Sequence, residues 1–407
     1  MFDYVLVVAV AAVVTYVTTF AVRRLAPRIG AIVMPGGRKI HGRPTPTVGG
    51  IAMVLGFAVA MAVASRIGRF HAVFSGSSEP LGVLLAGVVM AGVGLADDLR
   101  DVSAPAKVAG QVLSSSVLWV FGVTMFWFKV PFAGIVILSS SFTPLLTAIW
   151  VVAMANAINL IDGLDGLAGG VVAIASASFA LYSLKLENLG QLPSSSIGPL
   201  IALLALGVCL GFLPHNFNPA KIFMGDTGAM FLGLLMAAST SVVGGRTSDV
   251  SGETFFFFAP LFIPFVILGV PMFDMAFAII RRTARRTGVS SPDKEHLHHR
   301  LYEMGHGPRR SVVILWAWTA ILSGFALTPT FTNHGNAEIP FVVLAALVLL
   351  YTMFHPNVRR RGAGSVARST RHGQVRNRGV AELKVATRGA HSKGGRTGAS
   401  GGGALGD

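Results

Sequence analysis

Eleven stretches of this chain are apolar for long enough to cross a bilayer, and polar breaks separate them throughout the first 356 residues. They lie near 4–22, 49–65, 80–96, 108–128, 143–160, 167–184, 197–213, 228–243, 256–280, 311–328 and 339–356. A helical crossing needs roughly 17–25 residues. Lipid offers no partner to backbone polar groups, so spans of this kind are helices packed on helices. Composition agrees, since 53% hydrophobic with 13% charged residues is too apolar for an ordinary soluble domain. The expected fold is an all-α polytopic membrane protein with about 11 transmembrane helices. Residues 1–356 form the membrane domain, and 357–407 form a Gly-, Arg- and Ser-rich tail whose composition predicts disorder. The tail reads as a solvated orientation signal or a weak anchor to anionic lipid. The single Cys209 excludes an intrachain disulfide and a zinc site built on cysteines.

Charge placement predicts orientation. Arg23 and Arg24 follow the first apolar run, whereas a secretory signal carries its positive charge ahead of it. The N-terminus is therefore expected outside, and an odd number of spans puts the C-terminus in the cytoplasm. In that topology 28 of the 33 Lys and Arg fall on the cytoplasmic side, as the positive-inside rule demands. The net charge of +15 is thus an orientation signal, and no specific nucleic-acid partner is expected.

Every polar cluster falls on that same side. Asn156, Asn159, Asp162 and Asp165 follow one another at three-residue steps at the end of the fifth span, with Gly163 and Gly166 among them. Amides and carboxylates at a membrane edge are costly unless they bind something charged. An all-oxygen set of this kind suits Mg²⁺, which usually arrives with phosphates. Asp97 and Asp98 follow the third span, and Lys107 opens the fourth. The pair reads as a cation- or phosphate-handling corner with Lys107 as a charge clamp, or else as an ordinary acidic loop. Between spans seven and eight, Asn216, Phe223 and Asp226 lie in a loop that ends in Gly225-Asp226-Thr227-Gly228. Asp226 reads as a metal ligand or as a helix cap, and the ring of Phe223 could stack on a base. His296, His298, His299 and Arg300 lie in the inner loop 281–310. Neighbouring histidines point in different directions on a helix, so phosphate or sugar hydrogen bonding fits them better than zinc. Lys39 and His41, in the first inner loop before Gly49 and Gly50, could meet an anionic substrate.

In this order the motifs resemble those of the polyprenyl-phosphate N-acetylhexosamine-1-phosphate transferases. The matching residues are His41, Pro44, Pro46, Gly49 and Gly50; Asp97, Asp98 and Lys107; the Asn156–Asp165 run; Gly225–Gly228; and His296, His298 and His299. The resemblance covers roughly residues 1–356. It implies transfer of a sugar 1-phosphate from a UDP-sugar to a polyprenyl phosphate at the cytoplasmic face of the bacterial inner membrane, with Mg²⁺ as cofactor and Mn²⁺ as a substitute. It implies Asn159 and Asp226 as metal ligands, Phe223 against the uracil, Asp165 at the nucleoside and Lys107 at the phosphates. Asp97, Asp98 and Asp162 become the catalytic carboxylates, with Asp97 the usual candidate for base or nucleophile. The phosphate of the lipid is already largely dianionic at neutral pH, with a second pKa near ~6, so direct attack is expected to need no strong base. The spaced His296-Leu-His298-His299 pattern resembles the UDP-N-acetylglucosamine branch, whereas users of UDP-N-acetylmuramoyl-pentapeptide carry three consecutive histidines. Relatives are commonly homodimers. The Ala-, Gly-, Val- and Arg-rich composition suggests a GC-rich bacterial genome. With the resemblance, this gives as an expectation an envelope polysaccharide such as the arabinogalactan linker, with decaprenyl phosphate as acceptor, although the chain length of the acceptor is not legible in the sequence. The alternatives are the muramoyl-pentapeptide transferase of the same family and a secondary transporter of nucleotide-sugars or anionic lipids.

Overall fold

The computed structural model describes residues 2–34, 44–130, 134–244, 306–332 and 335–354, with single positions at 269, 276, 280 and 301. The long helices are α1 (Phe2–Leu25), α2 (Gly50–Ala64), α4 (Glu79–Arg100), α5 (Ala104–Val120), α6 (Thr143–Ile161), α7 (Leu167–Asn188), α8 (Gly198–Asn216), α9 (Gly225–Gly244), α10 (Gly307–Phe331) and α11 (Ile339–Phe354). A short α3 (His71–Ser75) follows α2. Prolines in the first turns of α4, α5, α6, α8 and α10 mark where these helices begin; a first-turn N–H has no helical partner to lose, and the fixed φ of proline suits the position.

Among the described residues, eight helices are long and apolar enough to cross a membrane, or nine if α2 and the 91° bend after it count as one broken span. α5 has 17 residues and is not among them, although that is enough for a short crossing. The expected span 108–128 is corrected at its end, since the helix stops at Val120. Gly122 adopts φ +88, and the chain turns into an antiparallel hairpin of β3 (Trp127–Val130) with β4 (Gly134–Ile137). A second two-residue ladder joins β1 (Ile32–Val33) to β2 (Thr45–Pro46). The fold is therefore nearly all helical, where the sequence had predicted all-α. The expected stretch 256–280 lies outside the described residues, apart from positions 269, 276 and 280.

α9 is the centre, with every residue from Thr227 to Gly244 buried. α2, α4, α6 and α8 pack on it; α1 lies on α2 and α8, α5 on α4 and α6, α7 on α8, and α10 on α7. Small residues let these backbones meet. A Cβ at Gly233 would strike the backbone of Ala155, and one at Gly211 would strike that of Ala12. Lipid supplies no hydrophobic drive between helices, so this close van der Waals contact is what holds the bundle. At the end of the bundle away from α9's N-terminus, Arg69 donates to the Tyr4 hydroxyl at 3.0 Å and pairs with Glu187 at 3.4 Å. That clasp joins α1, the bend after α2, and α7.

Candidate active site

α4 does not stop at the membrane-edge leucine. It continues through Asp97 and Asp98 to Arg100, so the two carboxylates stand on the last helical turns rather than in a loop. Asp101, at φ +47, ends the helix, and a three-residue turn brings α5 straight back. Lys107 then reaches Asp97 Oδ2 at 2.8 Å and also donates to Asp226 Oδ2 at the start of α9. The other oxygen of Asp97 accepts the Val102 N–H at 3.0 Å.

Asp98 turns the other way. Its carboxylate accepts the N–H groups of Asp226 and Thr227 at 2.9 and 3.1 Å and the Thr227 hydroxyl at 2.6 Å. It is the N-terminal cap of α9, supplied from a helix 128 residues earlier. A carboxylate here satisfies two orphan donors and sits at the positive end of the helix dipole. Asp98, expected among the catalytic carboxylates, is thus engaged by the backbone and hydroxyl of α9's first turn, and Asp226 does not cap its own helix, because its side chain faces Lys107. Gly225 has to be glycine twice over: its φ is +70, and a Cβ would collide with the Asp98 carboxylate.

Asn156 and Asn159 lie on the last turns of α6, and Asp162 is its C-cap residue. Asn156 donates to Gln111 Oε1 at 2.8 Å and to the Val152 carbonyl at 2.7 Å. The side chain of Asn159 makes no hydrogen bond among the described residues, and its Nδ2 is buried. A buried donor left in this state costs about 1–3 kcal/mol, and an acceptor such as a phosphate oxygen would satisfy it. Burial, with Asp226, Asp98 and Asp165 nearby, pushes the Asp162 carboxyl up to about 8. Asp97 and Asp226 share one ammonium, Lys107, while Asp98 is taken up by the start of α9 and Asp162 feels the charges of Asp226 and Asp98. No three His, Cys, Asp or Glu side chains among the described residues form a metal cage. Mg²⁺ takes one or two carboxylates and completes its shell with water and substrate phosphates, and the Oδ1 of Asn159 with the carboxylates of Asp162 and Asp226 is a donor set of that chemistry.

The neighbouring loop 217–224 is held from three sides. Asp165 Oδ2 accepts from Asn218 Nδ2 at 2.8 Å and from the Ala220 N–H at 3.0 Å. Asn216, expected to touch substrate, is instead buried and spans the Gly166 N–H and the Ile222 carbonyl, each at 3.0 Å. Gly166, at φ +80, makes the turn that starts α7. Arg309 of α10 donates to both oxygens of Asn218 at 3.1 Å. The backbone of half-buried Phe223 lies between Pro46 and Gly49, with hydrogen bonds of 2.9 Å to each. The end of the first inner loop is therefore part of this wall. Lys39, His41, His296, His298, His299 and Arg300 lie outside the described residues. Gln111 and Arg309 were not singled out in the sequence. Gln111 could have been, as an amide one helical turn after Lys107 in an apolar stretch; Arg309 sits in a basic run that hides it.

Residues 80–244 match the family model described as glycosyl transferase family 4. That span holds α4 to α9, and with them Asp97, Asp98, Lys107, Asn159, Asp162, Asp165 and Asp226. A Mycobacterium tuberculosis protein named decaprenyl-phosphate N-acetylglucosaminephosphotransferase is 39% identical over 349 residues, 83% of this chain and 85% of that protein. A Mycobacterium leprae protein of the same name is 38% identical, over 86% of this chain and 89% of its own. A phospho-N-acetylmuramoyl-pentapeptide-transferase from Desulforudis audaxviator is 31% identical, over 74% and 89%. Identity at this level, across nearly the whole of each relative and through the helices that assemble the site, places the chain in glycosyl transferase family 4.

Proposed function

We propose that this protein transfers N-acetylglucosamine 1-phosphate from UDP-N-acetylglucosamine to decaprenyl phosphate, giving decaprenyl-diphosphate-N-acetylglucosamine and UMP. The observation that carries the reading is the meeting of Asp97, Lys107, Asp226, Asp162 and Asn159 at one end of the bundle. The names of the mycobacterial relatives support the sugar and the acceptor. Residues 1–356 are the catalytic membrane domain, with eleven spans, the N-terminus outside and the site facing the cytoplasm of a bacterial inner membrane. Residues 357–407 are a basic cytoplasmic tail, and the assembly is a homodimer. The product would begin an envelope polysaccharide.

Mg²⁺ would be held by Asn159, Asp162 and Asp226, and when bound it neutralises diphosphate charge and polarises the P–O bond that breaks. The chain's own groups do the positioning. Lys107 offers a cation to the phosphates, tethered by Asp97. With Lys107 on one oxygen and the Val102 N–H on the other, Asp97 is a poor base, and a dianionic lipid phosphate does not need one. Its oxygen attacks the sugar-bearing phosphorus in line, and UMP leaves. Asp98 keeps the start of α9, and so Asp226, in register with this path. Phosphoryl transfer depends mainly on such alignment and charge neutralisation. Asp165 and the loop 217–224 are positioned to meet the nucleoside, with Phe223 against the base.

The test is radiolabel transfer by purified protein in detergent, supplied with decaprenyl phosphate, Mg²⁺ and either labelled UDP-N-acetylglucosamine or labelled UDP-N-acetylmuramoyl-pentapeptide. Lipid labelling from the first donor alone, lost with EDTA, is the expected result. Labelling from the second alone would move the protein to the muramoyl-pentapeptide branch. No transfer from either by folded protein would favour a transporter.

A further inference from the structure

Gln111 is fully buried on α5, one helical turn after Lys107, in a part of the bundle where a polar side chain is expensive. Its two polar atoms are both committed. Oε1 accepts from Asn156 Nδ2 at 2.8 Å, and Nε2 donates to Met230 Sδ at 3.2 Å. Thioether sulfur accepts and never donates, so the Gln111 amide can sit only one way round. That fixes Asn156 in turn. Both of its amide hydrogens are spent, one on Gln111 and one on the Val152 carbonyl. Reversing the amide would set its oxygen against two other acceptors. Asn156 Oδ1 is the polar atom left over: the half-buried Asn156 side chain makes no other hydrogen bond among the described residues, and Oδ1 is not among the sealed, unpartnered atoms. A neutral oxygen held open in this way, one step before Asn159 on the same helix, cannot pair with a phosphate oxygen, because both are acceptors; it can take a hydrogen bond from a hydroxyl, an N–H or water, or coordinate a cation, and the acid-rich site beside it favours the cation.

We propose that Gln111 is a positioning residue that locks the Asn156 carbonyl oxygen toward the divalent cation, making Asn156 a further oxygen ligand to the ion or its bound water. The inference rests on the cation part of the proposed function. Outer-shell partners that orient metal ligands carry much of a site's affinity, and a satisfied buried polar pair is a rigid way to do it.

The measurement is Mn²⁺ binding by purified protein in detergent with UMP present, with free Mn²⁺ read by electron paramagnetic resonance. Gln111→Leu is expected to weaken Mn²⁺ about 10-fold. Gln111→Glu, protonated at a buried position, keeps both the acceptor and the donor and should restore near wild-type binding. Asn156→Leu should weaken Mn²⁺ as Gln111→Leu does, and adding Gln111→Leu to it should weaken Mn²⁺ no further, because the second residue acts through the first. Should Gln111→Leu not give monodisperse protein, Gln111→Met keeps the length, removes both polar atoms and carries the same expectation. Wild-type affinity in Gln111→Leu or Gln111→Met, a Gln111→Glu variant as weak as Gln111→Leu, additive losses, or a wild type that binds no Mn²⁺ would each overturn the proposal. Label transfer by the wild type is read in parallel. A protein that binds Mn²⁺ as described but transfers nothing refutes the proposed reaction and leaves the role of Gln111 standing.

Discussion

Asp97 and Asp98 are neighbours in the chain with different tasks, and the difference predicts different phenotypes. Asp98 holds two backbone N–H groups and a hydroxyl at the start of α9. Asp98→Ala should cost about 1–2 kcal/mol, the usual value of a lost cap, seen as a lower melting temperature in detergent. Asp97→Asn keeps an acceptor for Val102 and leaves Lys107 paired with Asp226, so its stability should change less. An equal or larger loss in Asp97→Asn would contradict the capping role. Asp162 gives a pH prediction. Its folded pKa, about 8, stands above the ordinary 3.8. Between those values the unfolded chain has released the proton while the folded chain still holds it, so folding binds a proton and stability falls as pH rises. The slope from one such group is at most about 1.4 kcal/mol per pH unit. In EDTA, the melting temperature should decline from pH 5 to 8 and the decline should flatten in Asp162→Asn. A pH-independent wild type would mean that Asp162 ionises normally.

At the scale of elements, the site depends on how closely α4 and α9 approach. A Cβ at Gly94 would come within 2.5 Å of the Asp226 carbonyl and the Thr227 nitrogen, backbone atoms that cannot swing aside. Gly92, two residues earlier on α4, is exposed with nothing within 4 Å. Gly92→Ala should leave activity unchanged and gain up to about 1 kcal/mol of helix stability. Gly94→Ala should cost about 1–3 kcal/mol through overpacking and abolish most activity by lifting the Asp98 cap from α9. Matched activity in the two variants would show that the approach of these helices does not matter. The helices of the site show what was legible in the sequence. The spacing of Asn156, Asn159 and Asp162 placed them at the end of α6, because that is local geometry, while Asp165 falls in the turn that leads to α7. The end of α4 was read short, because charge at Asp97 and Asp98 looks like a loop until a partner helix is there to receive it. The role of Asp98 was out of reach for the same reason: its partners are 128 residues away, and no local pattern announces them. Phe223 was found as a motif residue, but its backbone pairing with Pro46 and Gly49 is likewise a tertiary fact.

For the whole molecule, apolar length proved a sound guide to where the described helices lie and a weaker one to where they end. The expected boundaries 143–160 and 167–184 fall on α6 (Thr143–Ile161) and α7 (Leu167–Asn188), since uninterrupted hydropathy leaves a chain in lipid no other option. The stretch 108–128 was overextended, because hydropathy alone does not separate the apolar end of α5 from an apolar hairpin. Orientation is the property that charge predicts most directly, and the molecule is well suited to a test. Its single cysteine, Cys209, is fully buried in α8, so the background for thiol labelling is low. Exposed Ser103 lies beside Asp97 and Lys107 at the active-site end, while exposed Ser194 lies in the connection between α7 and α8. With the proposed topology, Ser194→Cys in intact cells should react with a membrane-impermeant maleimide, and Ser103→Cys should react only after the membrane is opened. Because the positive-inside rule acts on all the loops together, the reverse pattern would invert the whole bundle. It would place the acid-rich site on the outer side, where no cytoplasmic UDP-sugar could reach it, and so would count against the proposed reaction as well as against the orientation.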